Sequence, residues 1–151
     1  MSYIVPSRGK VTTHLLESFP KELFVAVFDI LKAVYLETSA SEVNQVSGYR
    51  RRLVVGVKRF AYAEERVLKI ASMFRGRDIE IVEVKGYGGA IHVEIRAGRF
   101  ILTLAYVKKP DRFVRFSKYR EGLALQYQQA LFPDLTKEPT GAEYYGILIH
   151  G

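Results

Sequence analysis

The chain has 151 residues, 48% of them hydrophobic and 13% aromatic, enough apolar surface for one domain with a real core, which excludes global disorder. It contains no cysteine, so a disulfide framework, a zinc ribbon and a thiol nucleophile are all excluded. A net charge of +7 favours a polyanion such as nucleic acid, or an acidic protein, as partner.

The first residues, MSYIVPSRGKVTTHLLESF, lack the apolar stretch behind a basic start that a secretory signal needs. No later run approaches the roughly 18 apolar residues of a membrane span. A cytoplasmic protein with no membrane contact is therefore expected. Ser18, Pro20 and Glu22 supply an N-cap, a first-turn proline and an acid at the positive helix end. Leu23, Phe24, Val27, Phe28, Leu31, Val34 and Tyr35 then recur at helical spacing, which predicts a helix over about 20–36.

Ser39 and Glu42 form a capping-box pattern that opens a second helix, over about 40–75. Val43, Val46, Leu53, Val57, Phe60, Val67, Ala71 and Phe74 mark its apolar side. Gly48 and Gly56 weaken it by roughly 1 kcal/mol each relative to alanine, so a kink near 48 is expected.

After Gly76 the period changes to two. DIEIVEVK, IHVEIRA and FILTLAYV, separated by GYGG and AG turns, predict an antiparallel β-meander over about 78–108, extending to 116 where RFVRF adds a strand. The third strand is apolar on both faces and is expected to be covered on both. Ser117 opens a helix over about 118–131, and EYYGILI predicts a final strand over about 143–149. That last segment is too apolar for a frayed tail and is expected to pair in the sheet. Its closeness to the chain end leads us to expect a natural C-terminal extension. With no internal repeat, the reading is a single α+β domain over 1–151, its helices packed on an antiparallel sheet of four or five strands.

The stretch GYRRRLVVGVKRF carries five of the chain's 23 lysines and arginines. On a helix, Arg51, Lys58, Tyr62, Arg66 and Lys69 fall within about 80 degrees of one another, with Arg52 and Arg59 beside them. Such a stripe can run along a phosphate backbone and make binding salt-dependent. It is equally what the solvated side of a core-facing helix looks like, with Glu65 inside the stripe and Glu64 across from it to dilute the field.

Two-residue turns at Tyr87–Gly88 and Ala97–Gly98 place His92 between Glu83 and Thr103, with Glu94 two residues along on the same face. A carboxylate beside a histidine can serve general acid/base chemistry, and a mixed polar sheet face is the plainer reading. His14 and His150 have no ligand pattern around them and are expected at the surface. GYGG joins two strands, with no following helix and no phosphate-loop pattern, so it reads as a hairpin turn.

The element order from 57 to 149 is similar to the core of restriction-endonuclease-like nucleases, and Glu83-Val84-Lys85 matches their E-x-K in outline. In that family the metal-binding acids and the lysine stand on the second and third core strands, within 91–107 here, where Glu94 is the one acid. The E-x-K lies one strand too early, and no family assignment follows.

The sequence thus points first to a non-enzymatic module that binds nucleic acid, or acts as a regulator, through Arg51, Arg52, Lys58, Arg59, Arg66 and Lys69, with no cofactor and no metal. A metal-independent, toxin-like ribonuclease using His92 and Glu83 with Glu94 is the alternative. A protein-interaction module for an acidic partner is the third.

Overall fold

The computed structural model describes residues 8–40, 48–85, 89–107, 120–122 and 144–150. Three helices, α1 (Arg8–Ser18), α2 (Lys21–Ala40) and α3 (Gly48–Lys69), precede a short 3-10 helix (Ile70–Phe74) and four strands. The strands are β1 (Ile79–Lys85), β2 (Ile91–Ala97), β3 (Phe100–Tyr106) and β4 (Tyr144–His150), and residues 120–122 are helical between the last two. The fold is α+β, as the change of period from helical to alternating predicts.

Residues 8–18 form a helix that no pattern in the sequence predicts. Ser18 therefore ends α1 instead of capping α2, and the chain turns at Phe19 and Pro20, where the Phe19 amide closes on the Leu15 carbonyl at 2.9 Å. Phe19 is completely buried and meets the edges of both Phe24 and Phe100, which fixes α1 and α2 to the sheet. α2 runs four residues past its expected end, so Ser39 belongs to it and does not open the next helix. Glu42, the other half of the capping box, lies outside the described residues, as do most of the expected helix over 118–131 and the RFVRF strand.

The sheet order is β1-β2-β3-β4, antiparallel through β3, with β4 parallel to β3. The expected all-antiparallel sheet is thus corrected to a mixed one: the long connection over 107–143 permits a crossover that a tight hairpin cannot make. The core lies between the helices and one sheet face, where Leu23, Val27, Ala63 and Val67 meet Ile81, Ile95, Leu102 and Leu104. β3 is buried on both faces, as its continuous apolar run predicts.

Both turn registers differ from expectation. The last β1–β2 pair is Lys85↔Ile91, not the register that a two-residue turn at Tyr87–Gly88 requires, and Gly89 has a φ of 81 degrees. The second turn is Gly98–Arg99, with the positive φ of 52 degrees at Gly98, where a primed hairpin turn needs it. The first shift moves the β1 partner by one residue and so exchanges faces.

Candidate functional site

α3 presents one narrow face to the sheet, made by Gly56, Ala63, Glu64 and Val67. Gly56 is required by close approach: a Cβ there would stand 2.8 Å from Cε1 of Tyr106. Before that contact, residues 48–54 are all exposed. Tyr49 is 58% exposed and Val57 69% exposed, among Arg50, Arg51 and Arg52. These three arginines have no ion pair or hydrogen bond among the described residues. They also stand in the first turn, where the helix dipole already concentrates positive charge.

The rest of the predicted stripe is partly engaged. Arg59 lies against α2, donating from Nε to Thr38 Oγ1 at 3.0 Å and from Nη2 to Ser39 Oγ at 3.1 Å, with its guanidinium 4.2 Å from the Tyr35 ring centre. Arg66 pairs with Glu37 of α2, and Lys69 with Glu65 one turn back at 2.6 Å. Lys58 and Tyr62 are half-buried. The predicted face therefore divides into an exposed N-terminal part, at Arg51 and Arg52 together with Arg50, and a part in which Arg59 and Arg66 fasten α3 to α2 while Lys69 pairs within α3.

Nor does the structure assemble the predicted histidine set as drawn. Glu83 stands opposite Val93, and His92 opposite Val84, so Glu83 and His92 occupy different faces of the sheet. Thr103 stands opposite Glu94. His92 does meet Glu94, Nε2 to Oε1 at 3.0 Å, but it is 2% exposed. The other Glu94 oxygen accepts a fork from Arg96 Nε and Nη2 at 2.9 and 2.8 Å, and Arg96 reaches on to Glu80. Thr103 Oγ1 and the Tyr145 hydroxyl lie 2.9 Å apart on this face. The cluster is enclosed, which favours organising the sheet over meeting a substrate. Among the described residues no group of acids and histidines could hold a metal ion.

Glu64 is the titratable group that the sequence reading passed over, treating it as a surface counter-charge. It is buried on the sheet-facing side of α3 and its Oε1 accepts the Val93 amide at 3.2 Å. The β2–β3 ladder stops at Glu94↔Thr103 although both strands continue. At the fork, Glu64 takes the Val93 amide and Arg120 Nη2 donates to the Leu104 carbonyl at 3.1 Å. Side chains thus satisfy the two backbone groups next to the end of the ladder. Burial pushes the Glu64 carboxyl up to about 7; the Val93 hydrogen bond and Arg120 oppose the shift, and Glu83 adds to it. One signal was available: Glu64 falls in step with Gly56, Phe60 and Val67, an acid in an apolar register.

His150 is likewise buried, contrary to the expected surface position, because β4 sets it beside Tyr106 and beneath Tyr35 of α2. His14 is exposed and lies 3.3 Å from Glu17. Among the described residues no helix is long and apolar enough to cross a membrane. Compared with family models, with curated proteins and with solved structures, the chain finds no match.

Proposed function

We propose that the protein is a non-enzymatic nucleic-acid-binding module whose contact surface is the exposed first two turns of α3, centred on Arg50, Arg51 and Arg52. The observation that carries this reading is the run Arg50, Arg51 and Arg52, exposed and without partners among the described residues, in the first turn of a helix. Cations at that end oppose the helix dipole and repel one another, so the arrangement works against stability and suits an anion supplied from outside. Tyr49, Leu53 and Val54 are exposed on the same two turns, with Val57 one turn on, and aromatic and aliphatic groups among cations suit bases as well as phosphates. An acidic protein would meet the cations equally well and gives less reason for the aromatic. Arg59, Arg66 and Lys69, engaged within the protein, move to a supporting role.

The metal-independent ribonuclease reading draws less support. It needs His92 accessible and Glu83 beside it, and His92 is enclosed with Glu83 on the other face.

The test is the salt dependence of binding to a mixed-sequence oligonucleotide. Replacing Arg50, Arg51 and Arg52 with glutamine is expected to weaken binding strongly and to reduce the slope of log K against log salt by about 2 to 3. Unchanged affinity in a folded triple variant overturns the proposal.

A further inference from the structure

Opposite the side that α2 lays on the core, the same helix carries a second apolar face. Leu23, Val27, Val34 and Thr38 are buried along one line of the helix, while Val25, Phe28 and Leu36 on the other side are 49%, 66% and 65% exposed. An apolar stripe on each side of a helix calls for a cover on each side. Asp29, Lys32 and Ala33 share the outer face and are exposed, and neither Asp29 nor Lys32 has an ion pair among the described residues.

The order of these six residues points to what the cover is. At about 100 degrees per residue, the outer face is centred level with the midpoint of Ile30 and Leu31, directly across from the buried line. Val25 and Leu36 stand equally far along the helix from that centre, and about 10 degrees to either side of the midline. Asp29 and Lys32 do the same at about 30 degrees, and Phe28 and Ala33 at about 70 degrees. A twofold axis through the centre, perpendicular to the helix, therefore lays a second α2 antiparallel on the first. Val25 then meets Leu36, the Phe28 ring meets the small Ala33, and the Asp29 carboxylate meets the Lys32 ammonium, each pair made twice. The whole chain carries +7, which opposes any meeting of two copies, but the centre of this face holds one acid and one base and is neutral.

We propose that the outer face of α2 is the contact of a homodimer, in which two copies pack their α2 helices antiparallel about a twofold axis level with residues 30 and 31. Apolar meets apolar, large meets small and acid meets base in one register, and the alternating order of charge fixes that register. The face is small against the roughly 20–30 residues a side of a standard interface, so the dimer is weak and reversible.

The experiment is sedimentation equilibrium of the full chain from about 10 μM to about 1 mM at fixed ionic strength, a range that brackets a weak association. A monomer-dimer equilibrium is expected. Asp29→Lys and Lys32→Asp are changes at exposed positions, and each sets like charges across the twofold axis. Either one alone should raise the dimer Kd at least about tenfold, with the helical circular dichroism unchanged. Mixed in equal amounts, the two variants should associate again, because the cations of one copy then meet the acids of the other while both copies keep a positive net charge. A parent that stays monomeric to the highest concentration overturns the proposal and leaves the face to a different protein. Assembly beyond the dimer, single variants that dimerise as the parent does, or a mixture that fails to associate overturns it as well.

Discussion

The Glu64 carboxylate on α3 and the Val93 amide on β2 are joined by a 3.2 Å hydrogen bond at the point where β2 and β3 part. One helix position thus sets both the seat of α3 on the sheet and the place where the sheet opens. It also buries an acid, and that has a consequence for stability. Because the folded-state pKa is raised from 4.5 to about 7, the folded chain holds this proton where the unfolded chain has released it. The contribution of Glu64 is therefore fully present below pH 4.5 and lost as pH rises through about 7. Glu64→Gln keeps an acceptor for Val93 and removes the charge. The variant is expected to be more stable than the parent at pH 8, by on the order of 2–3 kcal/mol, with the difference vanishing near pH 4.5 in urea melts. A constant difference across that range would show that Glu64 does not titrate as placed.

His150 acts in the opposite sense. Its pKa falls from 6.5 to about 4 on folding, so the unfolded chain binds the extra proton, and the stability it contributes is present above pH 6.5 and lost as pH falls toward 4. Over the shared window the two groups offset one another, and the parent profile should be flatter than either single variant. His150→Asn should lose stability with rising pH between 4.5 and 7, where Glu64 then acts alone. Parallel denaturant titrations at pH 4.5, 5.5, 6.5 and 7.5 decide this. A His150→Asn profile parallel to the parent's would exclude His150 from the balance.

Gly56 offers a test of the α3–β3 contact. Alanine is the better helix former by roughly 1 kcal/mol, and on propensity alone Gly56→Ala stabilises. The new Cβ would meet the Tyr106 ring at 2.8 Å, however, which overpacks the contact at about 1–3 kcal/mol. Net destabilisation is expected in thermal melts, and Tyr106→Leu in the same chain should recover most of it by removing the ring. A more stable single variant would mean that Tyr106 moves aside freely.

How much of this was legible beforehand differs element by element, for physical reasons. Period reports elements well: Leu23, Val27 and Val34 are buried on α2 as their spacing requires, and FILTLAY is covered on both faces. Period cannot report partners. An alternating strand reads the same whether its neighbour runs parallel or antiparallel, so the direction of β4 was hidden. The glycines of GYGG and AG admit several turns, and one residue of difference separated Glu83 from His92. Helical spacing places the basic stripe on one side of α3, but only tertiary packing reveals that Glu37, Thr38 and Ser39 of α2 occupy Arg66 and Arg59. His150 was misplaced for the same reason, since what buries it comes from α2 and β3.

The free arginines carry an energetic signature of their own, separate from binding. If Arg50, Arg51 and Arg52 oppose the dipole of α3 and have no partners, their removal should help the helix. The triple glutamine variant is expected to melt higher than the parent at low ionic strength, by about 1 kcal/mol in all, and the gain should shrink with added salt. A lower melting point that persists in salt would show that the arginines are held by contacts within the protein, and the binding proposal would lose its premise.

β4 closes the sheet beyond β3. It pairs with β3 along its whole length, from Phe100↔Tyr144 to Tyr106↔His150, and the ladder is continued by the Val107 amide donating to the His150 carbonyl at 2.8 Å. It also brings Leu148 onto the core and the Tyr145 hydroxyl to buried Thr103. Deleting residues 144–151 would leave the buried strand β3 as a bare edge, with unpaired amides and carbonyls and with Thr103 missing its partner. Loss of the half-buried Ile147 and Leu148 removes roughly 1 kcal/mol of burial each, against a total stability of roughly 5–15 kcal/mol for a domain. The truncated chain is therefore expected to lose its cooperative melt and its dispersed amide spectrum, and to aggregate through the exposed edge. A soluble truncation that still melts cooperatively would show that β1, β2 and β3 with the helices suffice to define the fold, and that β4 is an accessory to it.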